Sequence, residues 1–185
     1  MKFVEGAPTV RGAGFQPASA APRGLRRPKH HDLGQIPYFI TTRTHKFERI
    51  FTATVAEAAV DELFKLRRTY EFLLASFVFM PDHAHFVIVP AEGFTISQTM
   101  RVLKGRIARR INADFDREGP VWQDGFRDNA SKSIDELHTY INYTEQNPVR
   151  AGLASDAAAY AFSTADGRCE ADYQAFFLLE RDDAG

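Results

Sequence analysis

The chain has 185 residues, 44% of them hydrophobic and 25% charged, which suits one domain with a core of its own. No run approaches the roughly 18 apolar residues of a membrane span, and no apolar leader is visible, so neither a membrane nor a secreted protein is expected. The single Cys169 excludes an internal disulfide and a multi-thiolate zinc site, which leaves a cytoplasmic, reducing setting as the default.

The formal charge of −1 hides an uneven layout. Residues 1–30 carry six Lys/Arg against Glu5 alone, whereas residues 150–185 carry three Arg against seven acids. Residues 1–27 mix Gly, Pro, Ala and Arg without apolar periodicity and read as a flexible basic arm. The domain proper is assigned to residues 28–165, and 166–185 form an acidic tail.

In chain order, Ile36 to Arg43 (IPYFITTR) is rich in β-branched and aromatic residues and fits a strand. Thr52 to Tyr70 predicts a helix, with Val55, Ala59, Leu63, Leu66 and Tyr70 at helical spacing. Phe72 to Met80 is nearly all apolar and predicts a buried central strand. Pro81-Asp82 supplies a tight turn, and His83 to Val89 returns as another strand. After a loop at Gly93, Ile96, Met100, Leu103, Ile107 and Ile111 form one apolar helical stripe. Gly119-Pro120 breaks the chain, and Val121 to Asn129 predicts a short strand or hairpin. Ser133 and Glu136 are spaced as a capping box, opening a helix to about Gln146 that Pro148 ends. The order implies an α+β chain of ferredoxin-like split βαβ type. Its antiparallel sheet would carry helices on one face, with an added C-terminal helix.

Strand side chains alternate, so His83 and His85 project from one face while Ala84 and Phe86 point to the core. Two imidazoles side by side offer half of a metal site, although by itself the spacing is a weak signal. On the last helix, Leu137, Ile141 and Thr144 share a core-facing side, and Tyr140, Tyr143 and Asn147 occupy another. Tyr143 and Asn147 are four apart, hence neighbours. A phenol needs a nearby cation to serve as a nucleophile at neutral pH. Asn147 offers an amide oxygen as a third ligand for Mg²⁺ or Mn²⁺. Such an ion would polarise a phosphate for in-line attack. Tyr140 is the rival nucleophile, but its neighbour at four residues is Thr144, a poor ligand.

Between Ser97 and Asn112, five basic residues (Arg101, Lys104, Arg106, Arg109 and Arg110) occur without an acid, the expected footprint for a phosphate backbone. Arg127, Lys132 and Arg150 near the tyrosine segment are further candidates for DNA contact. Trp122 and Phe126 are candidates for stacking on an unpaired base, with ordinary core packing as the alternative.

The stretch Phe79-Met80-Pro81-Asp82-His83-Ala84-His85 resembles the His-hydrophobic-His metal motif of HUH single-strand endonucleases. Tyr143-Thr144-Glu145-Gln146-Asn147-Pro148-Val149-Arg150-Ala151-Gly152-Leu153 resembles the tyrosine segment of the REP-associated tyrosine transposases, relatives of small insertion-sequence transposases. Tyr38-Phe39-Ile40-Thr41, Val121-Trp122-Gln123-Asp124-Gly125-Phe126 and Tyr160-Ala161-Phe162-Ser163-Thr164-Ala165 extend the resemblance over about residues 25–165. It implies His83, His85 and Asn147 as metal ligands and Tyr143 as nucleophile. The implied reaction is a transesterification on hairpin-forming single-stranded DNA, leaving a 5′-phosphotyrosine link and a free 3′-hydroxyl. The energy of the broken bond stays in that link, so no nucleotide cofactor is expected. A monomer or homodimer is implied, cytoplasmic and associated with a bacterial nucleoid. Ala84, Asp82 and Thr144 depart from the residues usual at their places in the family. The alternatives are a domesticated hairpin-binding protein without turnover and a water-using metal phosphoesterase.

Overall fold

The computed structural model describes residues 33–167 and 171–172; the expected arm over 1–27 and most of the expected acidic tail lie outside them. Four strands form one antiparallel sheet: β1 (Tyr38–Arg43), β2 (Leu73–Met80), β3 (His83–Val89) and β4 (Arg127–Ala130), in the order β2-β3-β1-β4. Helices α1 (Ala53–Tyr70) and α2 (Ile96–Asp114) link β1 to β2 and β3 to β4, and α3 (Ile134–Arg150) follows. This is the α+β arrangement expected from the element order. No helix among the described residues is long and apolar enough to cross a membrane.

Alternation along the strands builds two apolar layers. Tyr38, Ile40, Phe77, Phe79, Ala84, Phe86 and Ile88 face α1 and α2 and make the main core. There the stripe Ile96, Met100, Leu103, Ile107 and Ile111 is buried as its spacing predicts. On the other face, Ala75, Val87 and Val89 pack with Leu137 of α3, joined at the margin by Phe39, Ile134, Tyr140 and Ile141. The tyrosine helix and the basic helix α2 therefore lie on opposite faces of the sheet.

Four local expectations need correction. The apolar run Phe72 to Met80 predicts a central strand, but β2 is an edge strand. Its side chains are buried by helices on both faces, and its free edge is covered by the chain after α3: the Phe79 amide donates to the Phe162 carbonyl at 2.9 Å. The Thr164 and Ser76 hydroxyls meet at 2.9 Å, and the Leu74 amide donates to the Asp172 carboxylate at 2.7 Å. Edge coverage of this kind hides backbone groups that would otherwise pair with another chain.

Pro148 does not end α3, which runs on to Arg150. Proline removes the bond to the Thr144 carbonyl, but in the last turn few bonds remain to lose. The Leu153 and Ala151 amides still close onto the Pro148 and Asn147 carbonyls. The segment from Val121 yields only the bridge Thr44–Trp122 before β4 begins at Arg127. At the start of α3, Ser133 Oγ accepts from the Glu136 amide as expected, but the Glu136 carboxylate takes the Lys132 amide instead of that of Ser133. A complete capping box opens α2 instead, between Thr95 and Gln98.

Candidate active site

The β2–β3 hairpin delivers the two histidines. Its turn is fixed by Thr44, buried, whose amide donates to the Asp82 carbonyl at 2.9 Å. His83 and His85 then leave β3 on the α3 side of the sheet, with ring centroids 4.9 Å apart. Ala84 and Phe86 point into the main core, as the alternation predicts.

Each imidazole is held through its Nδ1. That of His83 lies 2.7 Å from Asp82 Oδ1. An ionised carboxylate can only accept, so Nδ1 carries the proton of this bond and a neutral ring keeps its Nε2 lone pair. His85 Nδ1 lies 3.0 Å from Thr41 Oγ1, the side chain opposite it on β1. Burial, and second the neighbouring His83 charge, pushes the His85 imidazole down to about 3, so it stays neutral at physiological pH. Two adjacent imidazoles, each held through its Nδ1, suit a divalent ion, whose ligating histidines are commonly oriented through the other ring nitrogen. Among the described residues no three His, Cys, Asp or Glu converge. An ion held here would take its remaining ligands from amide, water or substrate oxygens, the kind of donor Asn147 offers.

Helix α3 lays its tyrosines over this pair. The Tyr143 ring meets His85 edge-on at 5.5 Å, and the Arg150 guanidinium lies over the same tyrosine ring at 5.0 Å. Phe39 of β1 is the floor: it stacks on His85 at 5.3 Å and on Tyr140 at 5.0 Å, and meets Tyr143 edge-on at 5.6 Å. Tyr140 is thus the tyrosine packed into the sheet. Burial, and then the Glu136 carboxylate, raises its phenol above the ordinary value. Thr144, fully buried, turns its hydroxyl to the Tyr140 carbonyl at 2.8 Å, away from any site. Asn147 follows Tyr143 by one turn, half-buried.

The basic residues divide between the two faces. Arg127 is exposed on β4 opposite Thr41, beside the site, and Arg150 closes α3. Lys132 is exposed just before that helix. On α2, Arg101 and Arg109 are exposed, but the others are engaged. Arg106 Nε donates to Glu62 at 3.2 Å, and Arg110 pairs with Glu62 and Asp114. The Lys104 ammonium donates to the Gln123 carbonyl at 2.8 Å and to that of Gly125, and burial lowers it to about 8. Trp122 is a core residue: 8% exposed, 5.1 Å from Phe51, its indole N–H donating to the Lys104 carbonyl. Phe126 is half-buried at the margin of the same core. Sequence reasoning gave Phe39, Thr41 and Arg43 no part in the site; only the β1–β3 register reveals that they share its face.

Residues 33–147 match the family model for IS200-like transposases, well over half of the chain. The chain belongs to the IS200-like transposases. Its role is therefore transposase-type processing of DNA. Among solved structures, the transposase is similar to a REP-associated tyrosine transposase bound to a REP hairpin. Identity is 19% and the TM-score 0.62, over 76% of this chain and 82% of that one. A protein from Deinococcus radiodurans R1, described as a transposase, aligns at 19% identity and TM-score 0.48 over 65% of this chain and 98% of that one. At such identities these likenesses speak for the fold alone, and the first agrees with the sheet and helices described above. No curated protein matches the chain significantly.

Proposed function

We propose that this transposase cuts and rejoins hairpin-forming single-stranded DNA with Tyr143 as nucleophile and a divalent ion, Mg²⁺ or Mn²⁺, on His83 and His85. The observation that carries the reading is the placement of Tyr143 edge-on to His85, itself 4.9 Å from His83. A REP hairpin bound to the similar solved transposase supports the substrate class. The phenol oxygen of Tyr143 joins the phosphorus, the bond to the 3′ oxygen breaks, and a 5′-phosphotyrosine link remains. The phenol gives up its proton as it attacks, and the departing 3′ oxygen gains one. Reversal restores the strand without ATP. The ion, when bound, polarises the phosphoryl oxygen and orients it for in-line attack, with Asn147 as its third protein ligand. Asp82 and Thr41 hold the two imidazoles in their binding orientation, and Phe39 seats both His85 and the tyrosine helix. Arg127, opposite Thr41, and Arg150, over the Tyr143 ring, stand beside the site to hold flanking phosphates, with exposed Lys132 as a more distant contact.

The test is to incubate the protein with labelled hairpin strands and Mn²⁺ and resolve the products under denaturing conditions. A covalent protein–DNA adduct with a matching free 3′-hydroxyl is expected. Cleavage without an adduct would point to water as nucleophile, and binding without cleavage to a protein retaining only the hairpin grip.

A further inference from the structure

The sheet face that carries the histidine pair also carries an exposed arginine, Arg43. Arg43 ends β1 directly opposite His83 in the antiparallel register. Cross-strand partners stand with their Cβ atoms about 5 Å apart. Phe39 and Thr41, at the alternate positions before it, both touch His85, so Arg43 leaves the strand on the same side. It is exposed and forms no ion pair among the described residues. Two acids of the neighbouring turns are committed elsewhere, Asp82 to His83 and Glu48 to Arg117.

What Arg43 does have is a platform. Its guanidinium lies over the Phe47 ring at 5.1 Å. Phe47 is 48% exposed, so the face of its ring away from the core is open to such a contact. It gets there through two successive residues in the left-handed region, Lys46 at φ 52° and Phe47 at φ 60°, which side chains other than glycine rarely adopt. Backbone outliers of this kind cluster at functional sites. The turn is held in that shape by the Thr44 hydroxyl donating to the Glu48 carbonyl and by the His45 amide donating to the Val121 carbonyl. The Arg43 carbonyl accepts from the Gln123 amide at 2.9 Å, so its backbone is fixed as well. An exposed planar cation resting on an aromatic ring suits two-point recognition of an anion.

We propose that Arg43 is a phosphate-binding catalytic residue of this site, gripping the non-bridging oxygens of the scissile phosphate from a Phe47 platform. The inference rests on the strand-transfer reading above. As the Tyr143 oxygen joins phosphorus and the 3′ oxygen departs, those oxygens carry negative charge that a fixed guanidinium stabilises. Arg43 would hold the phosphate from the β1 side, across from the face of α3.

The experiment measures adduct formation on circular single-stranded phage DNA with Mn²⁺, alongside hairpin binding by fluorescence anisotropy. It compares wild type, Arg43→Ala, Arg43→Gln, Arg43→Lys and Phe47→Leu. Losing one charged donor to the transition state is expected to slow the Ala and Gln variants by about 100-fold or more, with hairpin affinity within about threefold. Phe47→Leu should slow the reaction by about two- to fivefold, the value of an exposed cation–π contact. Added methylguanidinium should restore part of the Arg43→Ala rate and leave wild type unchanged, which a purely structural loss would not allow. Wild-type rates in Arg43→Ala and Arg43→Gln, or slow variants that methylguanidinium never rescues, would overturn the proposal while leaving strand transfer intact. A wild-type protein that forms no adduct would overturn the strand-transfer reading, and this inference with it.

Discussion

The ring of Tyr143 meets the imidazole of His85 edge-on, with centroids 5.5 Å apart. One residue comes from the last helix and the other from the second strand of a hairpin, so their meeting depends on how α3 docks. Phe39 sets that docking by touching His85, Tyr140 and Tyr143 at once. Phe39→Ala should cost about 2 kcal/mol of stability, below the 3–5 kcal/mol of a fully buried phenylalanine because the ring is half-exposed. Chemical denaturation measures this, and a loss under about 0.5 kcal/mol would deny the ring its role as the seat of the site.

Asp82 holds His83 through a carboxylate where the resembling family often has Asn. The carboxylate fixes the Nδ1–H tautomer and makes the imidazole a better donor. Asp82→Asn is expected to weaken Mn²⁺ binding by about 10-fold, the lower end for an outer-shell carboxylate. Titration calorimetry reads it directly. Unchanged affinity would mean that the hydrogen bond only trims the turn.

Lys104 and Arg127 should separate cleanly. Lys104 spends its ammonium on the Gln123 and Gly125 carbonyls, whereas Arg127 is exposed beside Thr41. Lys104→Ala should cost about 1.5–3 kcal/mol, as loss of charged hydrogen bonds does, while the salt dependence of hairpin binding stays put. Arg127→Ala should leave the melting temperature alone and reduce the salt slope by about 0.7 for one lost contact with a single strand. The opposite pattern would return Lys104 to the DNA surface.

Much of this was legible in the sequence, for identifiable reasons. The β3 alternation and the α2 stripe are local periodicities, and both side-chain patterns came out as read. What failed was non-local. Nothing in Phe72–Met80 says that Ser163, Thr164 and Asp172 will cover it, so an edge strand reads as a central one. Arg106 looks unpaired in the sequence because its acid, Glu62, stands on another helix, where it also meets Arg110. Phe39 and Arg43 look like ordinary strand residues until the β1–β3 register sets them beside the histidines.

The strap over β2 carries a test of its own. Asp172 accepts from the Leu74 amide and pairs with Arg67, itself packed on Phe64. Asp172→Ala should destabilise the fold by about 1–3 kcal/mol, the cost of leaving a charged partner and an amide unmet. Hydrogen exchange should then rise most at Leu74, by more than the general increase that the lost stability brings to amides of the inner strand β3 such as Ala84 and Phe86. Equal protection in both proteins would show that the strap is dispensable.

The central claim is the identity of the nucleophile, and peptide mapping of the trapped adduct decides it. Digestion of the protein–DNA complex followed by mass spectrometry should find the nucleotide remnant on Tyr143. Tyr143→Phe should yield no adduct, and Tyr140→Phe should still form one. A remnant on Tyr140, or an adduct that survives in Tyr143→Phe, would contradict the account.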